Sequence, residues 1–329
     1  MRILVTGGAG YVGSHCVRHL SQYGHEVTVY DNLVHGHRGA VADGLPFIQG
    51  DLADRDMLTR IFASNDFDAV MHFAAYAYVG ESVHEPLKYY QNNLANTVTL
   101  LDTMRVAGVK RLVFSSTCAT YGEPAKVPIT EDTMQRPINP YGRSKLAVEW
   151  MLRDCAAAWG LGACALRYFN ACGAADDGSI GEDHKPETHL IPIILQVALG
   201  QRAQVTVFGT DYDTADGTCV RDYIHVEDLA SAHRLAIEQI KAGEFSACNV
   251  GTGQGHSVRE IIDVAREITG RPIAAAEGAR RAGDPPVLVA DPTRVRTTLG
   301  WEATHADIRT IVGSAWRWHE AHPQGYNDR

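Results

Sequence analysis

The 329-residue sequence has no Cys-x-x-Cys pair, no apolar run that approaches a membrane span, and no excess of positive charge. Each absence excludes something. The seven cysteines (Cys16, Cys118, Cys155, Cys164, Cys172, Cys219 and Cys248) are odd in number and scattered. They argue against a disulfide framework or a zinc site and for a reducing cytoplasm. Before the first glycine cluster the N-terminus offers only Ile3 to Val5 as an apolar run, too short for a signal peptide, and no membrane partner is expected. A net charge of −9 disfavours a nucleic-acid partner. A few local arginines would still suffice for an anionic substrate. Internal repeats and low-complexity tracts are also missing. What remains is ordinary globular composition, 45% apolar and 21% charged, in a chain long enough for a main domain with a smaller partner.

Strand and helix patterns alternate through the first half. Apolar runs at 2–6, 26–30, 46–49, 69–74, 111–115 and 163–169 read as buried strands. Val12, Cys16 and Leu20 stand at i, i+4 spacing on a first helix that stops near Gly24; further helices are expected at about 87–107 and 141–159. Parallel strands need crossovers, so this order predicts an α/β fold with a doubly wound parallel sheet, covered on both faces. Its ligands belong beyond the carboxyl ends of the strands. Residues 171–188 read as a solvated loop, including Asp176-Asp177 and Glu182-Asp183-His184. The domain change is expected there, with 1–170 as one domain and 171–329 as the other, and with segments near 220–250 returning to the first. Helices are expected again at 191–200, 226–240, 257–269 and 305–321.

Gly7-Gly-Ala-Gly10-Tyr-Val-Gly13 follows the first strand and opens the first helix. Glycine suits a tight turn that must let backbone approach a pyrophosphate, and the helix N-terminus attracts the phosphate charge. Asp31 ends the second strand. A carboxylate there can bind both adenosine ribose hydroxyls and repels a 2′-phosphate, which favours NAD over NADP. Asp51, after the third strand, suits the adenine edge or, alternatively, the N-cap of a helix in Asp51-Leu-Ala-Asp-Arg-Asp-Met-Leu58.

Tyr141 and Lys145 are four apart on a predicted helix and share a face. An ammonium beside a phenol favours the phenolate, so Tyr141 could take a proton from an alcohol while hydride leaves the same carbon. Thr117, at the carboxyl end of the fifth strand, could orient that alcohol; the alternative is a side-chain-to-backbone turn bond. His35 and His37 lack a third nearby ligand, and no metal is expected. Trp316 and Trp318 read as packing residues.

Several motifs are more specific. They are Thr6-Gly-Gly-Ala-Gly-Tyr-Val-Gly13, Asp31-Asn32-Leu33, His72-Phe-Ala-Ala75, Val79-Gly-Glu-Ser82, Tyr89-Tyr-Gln-Asn-Asn93, Phe114-Ser-Ser-Thr117, Tyr141-Gly-Arg-Ser-Lys145, Arg167-Tyr-Phe-Asn170, Arg221-Asp-Tyr-Ile-His-Val226 and His322-Pro-Gln-Gly-Tyr326. Through them nearly the whole chain resembles the extended short-chain dehydrogenases/reductases, and within these the UDP-galactose 4-epimerase family. The resemblance implies a Rossmann-type NAD-binding domain followed by a smaller UDP-sugar-binding domain, in a homodimer joined through the helices near 87–107 and 141–159. It implies that UDP-glucose and UDP-galactose are interconverted at C4 through a 4-keto sugar, with NAD reduced and reoxidised in each turnover.

Residue by residue, the resemblance assigns Tyr141, Lys145 and Thr117 to catalysis. Cofactor contacts are implied for Gly7, Gly10, Tyr11, Val12, Gly13, Asp31, Asn32, Asp51, Leu52, Phe73, Ala74, Ala75, Asn93, Ser115, Tyr141, Lys145 and Phe169. Substrate contacts are implied for Thr117, Tyr141, Asn170, His189, Leu190, Val207, Phe208, Arg221, Arg281 and Asp284. For either arginine the alternative is a surface ion pair. Three positions depart from common members: His189 replaces Asn, Ala77 replaces Lys, and Leu288 replaces Tyr or a smaller residue, which implies weak tolerance of UDP-N-acetyl sugars. A 4,6-dehydratase is disfavoured because Cys118-Ala119, and no acid, follow Thr117. Epimerases of other UDP-sugars stay open, as does an NAD-sensing protein that has lost its base.

Overall fold

The expected alternation is present. The computed structural model describes residues 1–281 and 284–326. In chain order the first half gives β1 (Arg2–Thr6), α1 (Tyr11–Gln22), β2 (Glu26–Asp31), β3 (Phe47–Gln49), α2 (Arg55–Ser64), β4 (Ala69–His72), the short α3 (Val79–His84) and α4 (Pro86–Tyr89), α5 (Asn96–Ala107), β5 (Arg111–Thr117), α6 (Pro140–Trp159) and β6 (Gly162–Tyr168). The second half gives β7 (Asn170–Cys172), α7 (Leu190–Ala198), β8 (Val205–Phe208), β9 (Val220–His225), α8 (Val226–Gln239), β10 (Phe245–Val250), β11 (Gly255–Ser257), α9 (Val258–Thr269), β12 (Ala275–Gly278), β13 (Val287–Leu288), α10 (Thr293–Leu299) and α11 (Ile308–Ala321). Among the described residues no helix is long and apolar enough to cross a membrane.

Two units form. The first comprises Met1–Gly122, Met134–Arg167 and Ala230–Cys248; the second comprises Glu123–Thr133, Tyr168–Leu229 and the chain from Asn249 onward. The first unit is built on a seven-stranded sheet in the order β10-β6-β5-β4-β1-β2-β3. β1 pairs in parallel with both β2 and β4, β2 with β3, and β4 with β5. The strand order reverses direction between β1 and β4, which makes their carboxyl ends the switch point where such sheets bind ligands. Leu4, Val70, Leu112 and Ala163 of the sheet pack with Leu100 and Met104 of α5 and Val148 and Leu152 of α6 in one apolar core.

The predicted helix over 87–107 is interrupted. α4 and α5 are joined by wider π-helical turns over Tyr90–Ala95. There the Asn93 amide accepts from Tyr76 N (2.8 Å) and donates to Tyr76 O (3.0 Å) and Ser144 Oγ (3.2 Å). A buried amide that must reach two other segments displaces the regular ladder. α6 forms as its sequence dictates. Asn139 caps it by accepting from Gly142 N (2.8 Å), Pro140 occupies its first position, and Gly160 ends it at φ 77°.

The second unit holds β11-β9-β13, with β7 also paired to β9, and a separate β8–β12 pair. Its core joins Ile191, Ile194 and Leu195 of α7 to Ile261, Ile262 and Ala265 of α9 and Ile308, Ile311 and Val312 of α11. α9 starts with a reciprocal Ser257–Glu260 capping box. Asp222, fully buried on β9, accepts from Thr252 N and Oγ1 (both 2.8 Å), Gly253 N (2.9 Å) and Ala290 N (3.1 Å), so one carboxylate pins two further segments to the strand. Trp316 and Trp318 are buried.

Candidate active site

In the first unit the ends of four strands frame a cleft lined by Gly7 and Gly10 after β1, Asp31 and Asn32 at the end of β2, Gly50, Asp51 and Leu52 after β3, and Phe73, Ala74 and Ala75 after β4, with Asn92 beside them. Its geometry depends on glycine. Gly7 has φ +73°, and a Cβ there would lie 2.4 Å from the backbone nitrogen of Ala74. A Cβ on Gly13 would lie 2.1 Å from the Gly7 carbonyl, so glycine lets α1 start directly under the turn. The N-terminus of α1 has no side-chain cap and no acidic residue in its first turn, which suits an anion. Tyr11 and Val12 open this helix.

The Asp31 carboxylate is 7% exposed and is fixed from both sides, accepting from Ala9 N (2.9 Å) and Leu33 N (2.8 Å). Burial raises its pKa and these two donors oppose the rise. Among the described residues the cleft lining carries two carboxylates and neither Lys nor Arg. That fits a dinucleotide with free ribose hydroxyls and does not fit one with a 2′-phosphate. Asp51 accepts from Asn32 Nδ2 (2.7 Å) and Ala53 N (2.8 Å). The cap of α2 is Asp54, which accepts from Met57 N (2.9 Å). Of the two roles open for Asp51, capping is thus taken by its neighbour. Asn92 faces the cleft, whereas Asn93 spends its amide on Tyr76 and Ser144.

β5 and α6 bring Ser115, Thr117, Tyr141 and Lys145 into the same unit. Lys145, 3% exposed, donates to the Ser115 carbonyl (2.8 Å), and its Nζ lies 4.7 Å from the centre of the Phe114 ring. Burial pushes its pKa down to about 7, and the carboxylate of Glu149 opposes that fall. Tyr141 is 8% exposed, one turn before Lys145. Thr117 Oγ1 accepts from Ala119 N (3.1 Å), so the turn bond exists; the hydroxyl proton is still available.

Sequence reasoning missed what supports Lys145. Glu149, one more turn along α6, receives Arg167 Nη2 (2.6 Å), Arg167 Nε (3.0 Å) and Ser116 Oγ (2.6 Å), and Arg167 Nη1 donates to Tyr121 Oη (2.8 Å). Both partners of this ion pair are at most 3% exposed. The i, i+4, i+8 spacing of Tyr141, Lys145 and Glu149 was the available signal.

The second unit carries the residues assigned to the UDP group and, with them, Phe169, which was assigned to the cofactor. Asn170 begins β7, and the buried Phe169 donates its N–H to Val250 O (3.3 Å). His189 stands at the N-cap position of α7 without a side-chain cap, and Leu190 begins the helix. Val207 is buried and Phe208 is 38% exposed at the end of β8, with the Arg281 guanidinium 4.0 Å from the Phe208 ring centre. Arg221, on β9, forms an ion pair with Asp284 and donates to Val220 O (2.8 Å). Two residues assigned separate contacts are thus partners of each other here. The loop at Glu182–His184 corrects the solvated reading. The Glu182 side chain is 4% exposed because His184 and His189 pair with it.

The glycine turn, the acidic second-strand end and the Tyr–Lys helix together define a dinucleotide-dependent enzyme of the short-chain dehydrogenase type. Residues 3–251 match the NAD dependent epimerase/dehydratase family, and the chain belongs to it. It is 53% identical over 328 residues to a UDP-glucose 4-epimerase of Halalkalibacterium halodurans, covering 99% of this chain and 98% of that one. Two solved structures are also similar. UDP-glucose 4-epimerase from Brucella ovis in complex with NAD has a TM-score of 0.92 at 50% identity, covering 96% of this chain and 97% of that one. UDP-glucose 4-epimerase from Bifidobacterium longum in complex with NAD+ and UDP has a TM-score of 0.95 at 40% identity, covering 99% of this chain and 100% of that one.

Proposed function

We propose that this chain is an NAD-dependent UDP-glucose 4-epimerase, with the first unit holding NAD and the second the UDP-sugar. The observation that carries the reading is a buried Tyr141–Lys145 helix turn in the same unit as a glycine-built, cation-free cleft, in a chain half identical to UDP-glucose 4-epimerases from end to end. The glycine turn, the start of α1 and Asp31 would hold the pyrophosphate and ribose, with Asp51, Leu52 and Phe73–Ala75 along the adenine and nicotinamide sides. NAD, when bound, supplies a hydride acceptor and donor for C4 of the sugar.

The remaining work falls to side chains of this protein. Tyr141 takes the proton of the C4 hydroxyl as its C–H bond breaks, and returns it when the C–H bond re-forms on the opposite face. Lys145, held against Ser115 O, stabilises the phenolate. Thr117 orients the hydroxyl. Inversion needs the sugar to turn over while the nucleotide stays fixed. We assign that grip to Asn170, His189, Leu190, Val207, Phe208, Arg221, Arg281 and Asp284, since guanidinium groups suit diphosphate oxygens. Taking up substrate would then require Arg221 to share or leave Asp284.

Two finer assignments accompany this reading. Leu87, Val106 and Trp150, on the helical stretches expected to join a homodimer, are 79%, 73% and 58% exposed in the single chain, and sedimentation should give twice the monomer mass. Seven free cysteines fit a cytoplasmic protein. The deciding experiment is incubation of the purified protein with several UDP-sugars and no added NAD, with products identified by NMR. UDP-glucose and UDP-galactose should equilibrate. Tyr141→Phe should lower the rate roughly 10²–10⁴-fold with NAD still bound. A variant of wild-type rate would refute the assignment of the base.

A further inference from the structure

The loop that leads into α7 carries an alternation of carboxylate and imidazole, Glu182, His184, Glu187 and His189, of which the function proposed above uses only His189. One ligand-capable atom from each lies within 4.8 Å of all the others. The two carboxylate side chains are 4% and 2% exposed, while His184 is 16% and His189 45% exposed. Glu182 Oε1 meets Nδ1 of His184 at 3.2 Å and makes a tight contact with Nδ1 of His189. Among the described residues the ion-pair partners of both carboxylates are these two imidazoles, with neither Lys nor Arg beside them. Two carboxylates this close in a dry setting need positive charge between them.

The surroundings hold the four groups in place. Glu187 Oε1 accepts from Thr188 N (2.7 Å) and His189 N (2.8 Å). The hydroxyl of Tyr326 bonds to Gly181 N (3.0 Å) and O (3.2 Å), and its N–H donates to Asp183 (3.0 Å). The Trp318 ring lies so close to Gly181 that a Cβ there would be 2.4 Å away. Donors fixed by outer hydrogen bonds and packing are how proteins pre-form metal sites.

We propose that Glu182, His184, Glu187 and His189 form a divalent-metal site of the zinc class with a structural role. Two imidazole nitrogens are borderline donors that suit zinc, carboxylate oxygens also ligate it, and two carboxylates cancel the charge of a dication. Four protein donors leave no open position, so the ion holds the loop and the start of α7 and performs no chemistry. It occupies the imidazole lone pairs in place of protons, so binding releases protons.

The test uses the full chain, purified without chelator or polyhistidine tag. Elemental analysis should find about one zinc per chain, and zinc added to chelator-treated protein should raise its melting temperature. Cobalt(II) should give the intense visible bands of tetrahedral coordination. His184→Gln and Glu187→Gln should each weaken zinc binding by at least about 10–100-fold, with bound NAD and far-UV circular dichroism reporting that the variants are folded. Absence of saturable one-to-one zinc binding would overturn the proposal, as would equal binding by the variants. So would melting that responds to pH and not to zinc, the mark of plain imidazolium–carboxylate pairs. If neither variant folds, a wild-type cobalt spectrum without tetrahedral bands overturns it alone.

Discussion

Replacing Glu149 with Gln separates two roles that the structure gives one side chain. The carboxylate neutralises Arg167, and both are at most 3% exposed. It also supports the ammonium of Lys145, whose pKa burial has brought down to about 7. Glutamine keeps the shape and removes the charge. Leaving the guanidinium buried and uncompensated should cost about 3–5 kcal/mol. At roughly 2–4 °C per kcal/mol, melting should fall by about 6–20 °C. The second effect acts on protonation. With a pKa near 7, Lys145 is only partly protonated at pH 7, and one further unit of lowering would cut the protonated share several-fold. If the ammonium is the active form, kcat falls as pH rises through that pKa, and Glu149→Gln moves this alkaline limb to lower pH. Activity at pH 7 should drop several-fold and recover in part toward pH 6. The assay is kcat against pH for both proteins, below the melting range of the variant. A variant that melts early yet keeps the wild-type profile would refute the electrostatic role and leave Glu149 as a structural partner of Arg167.

Lys145→Met should slow the reaction by about 100-fold or more and yet raise the melting temperature at pH 7. The folded protein disfavours the Lys145 proton between its depressed pKa of about 7 and the ordinary 10.5, so the stability penalty is fully present below about 7 and disappears as pH rises toward 10.5. The gain should therefore shrink with rising pH, and a gain independent of pH would contradict the burial argument. Gly7→Ala places a Cβ 2.4 Å from a backbone nitrogen at φ +73°, a strain of about 1–3 kcal/mol at the cleft floor, and the purified protein should retain less NAD than wild type by absorbance after denaturation. Full retention would show that the turn can shift without losing the cofactor.

The first unit was legible because its signals are local. An apolar run, a glycine and a helix period fix β1, α1 and the Gly7 turn within about twenty residues, and a parallel sheet repeats that unit. Tyr141 and Lys145 were legible for the same reason, as one helix turn. Glu149 lies on the same helix, but its worth depends on Arg167, Ser116 and Tyr121, which only the folded sheet brings to it. β7, β8, β9 and β11 to β13 are two to six residues long and flanked by irregular chain, so their periodicity is too brief to read. The loop at 171–188 failed for a different reason. Its acids and histidines have solvent-facing composition one by one, and only their mutual neutralisation allows Glu182 and Glu187 to be buried.

The placement of Lys145 makes physical sense only with Glu149 behind it. An exposed ammonium would keep its proton but act through water, where a unit charge a few ångströms away is worth about 1 kcal/mol. Burial strengthens its hold on a phenolate several-fold, and the same burial drives its proton off. A carboxylate one turn further along α6 opposes that loss, but a carboxylate nearer the reacting carbon would compete for the proton. Glu149 avoids that conflict because Arg167 and Ser116 anchor it on the side of β6 and β5. Tyr141, Lys145 and Glu149 follow one another along α6 and Arg167 reaches Glu149 from β6, so the carboxylate pairs with the guanidinium while it opposes the loss of the Lys145 proton.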